Sequence, residues 1–575
     1  MKIHFLPFIT LGLFTLSACS SGSYDFAVTS YDPDAITIEN VVSANKAEDY
    51  PHLTDVSDKD WLVLFYICAD TDKIHNTDPA PNDELYKQMA QIGRGLRKIR
   101  RYDGLNPKAD YKNITAVGLW DGYNIDKDLK YYMPYTSVFE FKYPSQTYTK
   151  DIQSDISNFA KDLSQEIMNS ENNWLGDVQE LNMAKPESLS NFLHWALEKY
   201  NSDNSKDVVL VITGCGGGSF GDETGSYIPP SARSTCSDQS SEKFYLSATD
   251  IVTALSANGF SSTNKLPLLI LDTSFGASLE DSFEYRNTVL SMVAAPSEIP
   301  YATINYNYLL QCFKKNASPY SIGTDLVNIY ANTNYNLNSI TIKGISSLSF
   351  IDLTQIEAVA NNINMLADQI LTKKDTKNLD NNTYSVYDSF KDDSNNASYK
   401  YGFLCQNEAA ENLLTDTAMF YKAVYNHDTA NVLPGYESST ILFQGYFYLF
   451  DLGYLTKQIN KTAASKHGVE EIYYYCDQIQ SSMKKAVVSA WRNGSGSKSG
   501  LYTKIDKESA FGLTITGPAR EISGWQGNYF QPYYATTFSF KDYKETGKES
   551  KSNWKDLLES LYPEQFQDTT FIHYQ

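Results

Sequence analysis

Residues 208–213 read Val-Val-Leu-Val-Ile-Thr and run into Gly214-Cys215-Gly216-Gly217-Gly218. Residues 266–272 read Leu-Pro-Leu-Leu-Ile-Leu-Asp and run into Thr273-Ser274-Phe275-Gly276. Each is a short apolar run opening into small residues, the pattern of a strand buried on both faces that ends in a turn. Open α/β sheets place their ligands and chemistry at the carboxyl ends of such strands. The same pattern repeats outward from these two segments. Residues 61–68 (WLVLFYIC) form a near-continuous apolar run ending at Asp70, as suits a central parallel strand. Residues 114–120, running into Asp121-Gly122, and residues 289–295 predict two more strands. Between them lie helical patterns at 83–101, 152–168, 186–200, 247–258 and 279–286. Strands alternating with helices of this length predict an α/β fold, a mostly parallel sheet covered by helices on both faces.

The two opening segments resemble the active-site strands of the clostripain family of cysteine endopeptidases, whose fold is caspase-like. Residues 61–70 resemble that family's first strand. Glu180-Leu181-Asn182-Met183, followed by Pro186, Leu189, Phe192 and Trp195, resembles its approach to the histidine strand. Asp222-Glu223-Thr224 and Leu246-Ser247 resemble the segment between the catalytic strands, and Ser297-Glu298-Ile299-Pro300 with Tyr306 the stretch beyond the nucleophile. Further matches are Phe350-Ile351-Asp352-Leu353, Phe450-Asp451-Leu452, Phe511-Gly512-Leu513-Thr514-Ile515 and residues 554–562. The likeness covers most of residues 58–565, and its common order and spacing carry it.

In the family a His stands before the glycine run and a Cys follows Asp-Ala; here those places hold Cys215 and Ser274. A cysteine peptidase needs a thiolate, a base that maintains it, and donors for the developing oxyanion. Ser274 offers a hydroxyl, a weak nucleophile without a base. Cys215 offers a thiol of reference pKa about 8.5, mostly protonated at neutral pH. Loss of a positioned base costs roughly 10²–10⁴ in rate, and loss of nucleophile and base together cost about 10⁶ in a dissected serine protease. Among the other histidines, His52 lies in a polar N-terminal stretch, and His75 and His194 read as surface or packing residues. His427 and His467 lie in polar C-terminal segments. The catalytic pair is therefore expected to be degenerate.

The binding half of the site looks less altered. Gly216 is expected to offer a backbone N–H beside the lost base. The resemblance implies that Asp272 helps a pocket accept Arg or Lys, although a carboxylate capping the following turn fits the residues as well. Glu298 is a weaker candidate for the same pocket. The resemblance also places the first and third strands side by side, which makes a Cys68–Cys215 disulfide a further expectation. It would be excluded by Cα atoms more than about 7 Å apart. Some family members use calcium; no acidic loop here has EF-hand spacing, and no cofactor or metal is expected from the residues themselves. The six cysteines besides Cys19 are widely separated, which disfavours zinc or iron–sulfur sites.

The chain's 575 residues can bury a large core. Met1-Lys2, an apolar run over 5–16 and Leu16-Ser17-Ala18-Cys19 read as a secretory signal ending in a lipobox. Lipidation of Cys19 would then anchor an exported protein to a membrane of a bacterial cell envelope. The expected organisation is a signal peptide at 1–18, a polar tether at 19–58, a clostripain-like domain at 59–345 and an α+β C-terminal subdomain at 346–575. Within the last, helices are expected at 356–372 and 470–491. The glycine/serine loop 493–500 is rejected as a phosphate-binding loop, because a helix precedes it. The net charge of −21 has no basic block, which disfavours nucleic acid and anionic membrane surfaces. The expectation is a lipid-anchored pseudopeptidase that binds peptides with basic side chains or serves as a scaffold. The alternatives are an active endopeptidase cleaving after Arg or Lys, and a structural envelope lipoprotein without a ligand. Oligomeric state is left open.

Overall fold

The computed structural model of the protein describes residues 43–69, 82–101, 106–122, 136–140, 181–214, 235–238, 244–273, 276–296, 304–337, 347–373, 449–462, 470–492, 512–516 and 554–561. The strands are β1 (Ser43–Ala44), β2 (Asp60–Ala69), β3 (Ile114–Gly122), β4 (Ser137–Glu140), β5 (Lys206–Thr213), β6 (Cys236–Asp238), β7 (Phe244–Leu246), β8 (Leu266–Asp272), β9 (Val289–Ala294), β10 (Ser347–Asp352), β11 (Leu449–Asp451), β12 (Val487–Arg492) and β13 (Thr514–Thr516). The helices are α1 (Pro51–Thr54), α2 (Asn82–Ile99), α3 (Pro186–Asn201), α4 (Ala248–Ala257), α5 (Leu279–Tyr285), α6 (Tyr306–Gln311), α7 (Pro319–Leu337), α8 (Ile356–Thr372), α9 (Leu452–Thr462), α10 (Glu470–Ala486) and α11 (Trp554–Leu561).

Nine of the described strands form one sheet in the order β1-β12-β10-β9-β8-β5-β2-β3-β4. The block β9-β8-β5-β2-β3 is parallel throughout. Antiparallel strands flank it, β4 on one side and β10, β12 and β1 on the other. Counted in chain order, the five parallel strands are arranged 2-1-3-4-5, so the winding reverses between β2 and β5. Parallel strands need cover on both faces, and their alternating side chains supply two cores. Leu64, Tyr66, Ile212 and Leu271 belong to one, with α3, α4, α5, α8 and α10. Val63, Phe65, Val211 and Ile270 belong to the other, with α2, α6 and α7. The result is the caspase-like α/β arrangement, a mostly parallel sheet between helical layers.

Local chemistry sets several of the joints. Ser247 opens α4 with a reciprocal cap: its hydroxyl accepts from the Asp250 N–H, and the Asp250 carboxylate accepts from the Ser247 N–H at 2.9 Å. On α7, Gly323 lies directly against the ring of Phe350 in β10, and a β-carbon there would stand 2.6 Å from the ring Cγ. Helix and strand therefore approach as closely as they do because the position is glycine.

Two stretches differ from their expected form. Residues 43–58, expected within the tether, are built into the body from Ser43 onward. β1 pairs with β12, and Tyr50 and Leu53 are buried in the second core. The Tyr50 hydroxyl donates to the Lys485 carbonyl at 2.9 Å, and Tyr320 donates to the Asn45 carbonyl at 2.6 Å. His52 Nε2 meets the buried Asp352 carboxylate at 2.9 Å. A polar stretch is fixed here mostly by hydrogen bonds, which leave little hydrophobic pattern to read. The helix expected over 470–491 stops at Ala486, and Val487–Arg492 continues as β12 beside β10. The sheet thus runs unbroken across the boundary expected at 345/346. Among the described residues, no helix is long and apolar enough to cross a membrane. The helix expected at 152–168 and the loop 493–500 lie outside the described residues.

Candidate functional site

The two segments that opened the sequence reading are neighbours in the parallel block. β5 and β8 pair in register from Val209↔Leu268 to Thr213↔Asp272, so both strands end at the same level of the sheet. Cys215 and Ser274 each follow two residues beyond these ends. Both lie outside the described residues, as do Gly216, Glu298 and Cys19. Asp272 is the one candidate site residue that the structure describes.

Asp272 is 1% exposed and sits at the end of β8 on the face of the second core. Its carboxylate accepts from the Tyr306 hydroxyl at 2.9 Å, from Gln88 Nε2 at 3.4 Å and from the backbone N–H of Ile304 at 3.4 Å. The Tyr306 oxygen also lies against the Thr213 hydroxyl and accepts from Gln88 Nε2 at 3.2 Å. With the tyrosine proton committed to the carboxylate, the Thr213 hydroxyl is the donor in that contact. The backbone N–H of Tyr306 donates to Gln91 Oε1 at 3.1 Å. The ends of β5 and β8 are thus tied to each other and to α2 and α6 through one buried polar network. The described partners of Asp272 are interior groups. A carboxylate held this way braces the rim from below.

In the sequence Tyr306 is only a point of family resemblance, and Gln88 and Gln91 give no signal. They lie on an amphipathic helix where a glutamine reads as surface. Their role comes from contacts across 184 and 215 residues of chain.

The opposite face of the rim carries a second cluster. Cys68 near the end of β2 faces Cys236 of β6, with Sγ atoms 2.7 Å apart. The Tyr66 hydroxyl donates to the Met183 carbonyl, and the Met183 N–H donates to the Asp238 carboxylate, both at 2.7 Å. Thr136 donates to Asp121 at 2.8 Å and accepts from the Leu181 N–H at 2.7 Å. The turn at 181–184 is thereby pinned beside β2 and β3. Gly214 allows β6 to lie over the β2/β5 ends. A β-carbon there would overlap Cys236 Cβ and stand 3.1 Å from Cys236 Cα. The sequence-based partner for Cys68 was Cys215; the partner in the described structure is Cys236, because β6 folds across the crevice between β2 and β5.

Two histidines fall within the described residues, and neither is at this rim. His194 lies on α3 with its side chain 75% exposed, beside Glu198 at 3.7 Å. His52 is held by Asp352, at the far end of β10 from the candidate site. His75, His427, His467 and His573 lie outside the described residues. No group of three or more His, Cys, Asp or Glu side chains among the described residues is placed to hold a metal ion.

A sequence profile described as the clostripain family matches residues 157–560. No curated protein matches the chain. Among solved structures, the chain is similar to a secreted C11 cysteine protease from Bacteroides thetaiotaomicron bound to an irreversible peptide inhibitor. That likeness has 14% identity and a TM-score of 0.46, covering 82% of this chain and 96% of the other. It is also similar to an inactive zymogen C11 protease from Parabacteroides distasonis, with 14% identity and a TM-score of 0.45, covering 85% of this chain and 100% of the other.

Proposed function

Because the chain belongs to the clostripain family, we propose that it is a pseudopeptidase, a lipid-anchored envelope protein that keeps the family's frame without its reacting atoms. One observation carries this reading. β5 and β8 end in register at Thr213 and Asp272, and the sequence two residues beyond supplies Cys215 and Ser274 in place of a histidine and a cysteine. With a serine and a cysteine in those two places, neither supplies an imidazole to take a proton, and the two losses act together on the rate. The proposed role is binding or scaffolding, with peptides bearing Arg or Lys as the ligand class. The net charge of −21 favours cationic partners. Glu298 and Gly216 are the proposed peptide contacts at the rim. Asp272 acts through the Tyr306 network that supports it.

The deciding experiment incubates the purified protein with fluorogenic peptides ending in Arg or Lys. The expected result is no turnover above the peptide-only blank, with peptide binding detectable by fluorescence polarisation and weakened in Glu298→Gln. Sustained turnover that disappears in Ser274→Ala would overturn the pseudopeptidase reading. Absence of both turnover and binding would favour a structural envelope role. Restoring the family's pair, Cys215→His with Ser274→Cys, is expected to produce turnover. Anchoring has its own measurement: a fatty-acid label incorporated into the wild-type chain should be absent from Cys19→Ala.

A further inference from the structure

The face of the rim opposite Asp272 holds a pair of thiols that the family resemblance does not use. Cys68 lies at the carboxyl end of β2 and Cys236 begins β6; both are buried, with their Sγ atoms 2.7 Å apart. The backbone seats this pair. Ile67 pairs with Thr213 in the β2/β5 register, so Cys68 stands beside Gly214. The missing side chain of Gly214 makes room for Cys236, and a β-carbon at Gly214 would also lie 3.5 Å from Cys68 Cβ. β6 is held at its other end, where the Asp238 carboxylate accepts from the Met183 N–H and Asp238 pairs with Phe244 of β7. The other described cysteines are elsewhere: Cys312 in the core on the opposite face of the sheet, and Cys476 on α10.

We propose that Cys68 and Cys236 form a disulfide in the exported protein, stapling β6 to the end of β2. Both ends of the segment 215–235, which carries Cys215, are then fixed at one point of the rim, since the segment leaves from Gly214 and returns at Cys236. The bond closes a loop between residues 168 apart in sequence, and cross-links closing long loops constrain the unfolded chain most. The oxidant is another disulfide, that of a thiol–disulfide oxidoreductase or of glutathione. One cysteine thiolate attacks it to form a mixed disulfide and expel a thiol. The second thiolate then displaces the remaining thiol. The two protein sulfurs are oxidised, the oxidant's two sulfurs are reduced, and the two protons end on the released thiols. In the folded thiol form, burial holds the Cys68 thiol well above its ordinary range, and its contact with Cys236 adds to this. That burial slows the exchange in the folded protein.

The test uses the full mature chain, recovered from an oxidising export compartment without reductant. The protein is alkylated in denaturant and digested, and its peptides are mapped by mass spectrometry with and without reduction. The expected result is a Cys68 peptide linked to a Cys236 peptide and released by reductant. Reductant should also lower the thermal midpoint of the wild type and leave that of Cys68→Ala/Cys236→Ala unchanged. Recovery of both cysteines alkylated, or of Cys68 linked to Cys215 or another cysteine, would overturn the proposal. The wild-type peptide map decides the matter even where the double variant does not fold. The outcome is independent of whether the protein cleaves peptides.

Discussion

Asp272→Ala is expected to lower the unfolding free energy by roughly 3–5 kcal/mol, read as a shift in the urea midpoint at neutral pH. The cause is not the lost carboxylate alone. Three donors converge on it, from Tyr306, Gln88 and the Ile304 backbone, in a place sealed from water. A buried donor left without an acceptor costs about 1–3 kcal/mol. Tyr306 and Gln88 recover part of this, because they also touch each other and Tyr306 touches Thr213. Tyr306→Phe removes one hydroxyl and should cost less, about 1–2 kcal/mol. Asp272→Asn should fall between the two, since it retains an acceptor for Ile304 but turns an amide donor toward other donors. A loss of less than 1 kcal/mol in Asp272→Ala would show that the network does not brace the strand ends.

A loss of similar size is expected for Phe350→Ala. The ring is fully buried between β10 and α7, and truncating a buried phenylalanine costs about 3–5 kcal/mol through lost transfer energy and the cavity left behind. The informative measurement is the double-mutant cycle with Gly323. A β-carbon at 323 would overlap the ring, so Gly323→Ala alone forces ring or helix to move and should cost about 1–3 kcal/mol. In the Phe350→Ala background the same methyl enters an empty space, and its cost should vanish or change sign. Alanine is also the better helix former, by up to about 1 kcal/mol. Additive losses in the double variant would mean that α7 and β10 are not in direct steric contact.

Much of the fold was legible in the sequence. The runs 208–213 and 266–272 announce two central strands because parallel strands bury both faces and so read as unbroken apolar stretches. Both ends of α8 are legible, and those of α4 nearly so, because helical spacing is a local signal. The failures share a cause. Val487–Arg492 looks like the tail of α10 until β10 offers it a strand to pair with. Residues 43–58 show little apolar pattern because side-chain hydrogen bonds hold them. At the rim, Asp272 was singled out from its neighbours in sequence, whereas Gln88 and the Cys68–Cys236 pairing depend on distant segments that no spacing reveals. Nothing in the loop 219–241 marks Cys236 over Cys215 as the partner of Cys68. β6 decides it by lying across the end of β2.

The direction of β1 sets the end of the sheet at which an N-terminal tether would join it. β9 points toward the candidate rim, β10 runs against it, β12 against β10, and β1 against β12. β1 therefore starts from the same end of the sheet at which Thr213 and Asp272 terminate, four strand positions to the side of β8. If Cys19 carries the acyl group proposed above, the leash between it and Ser43 is limited by covalent geometry to about 80–90 Å. The ends of β5 and β8 would then lie on the side of the sheet from which that leash departs.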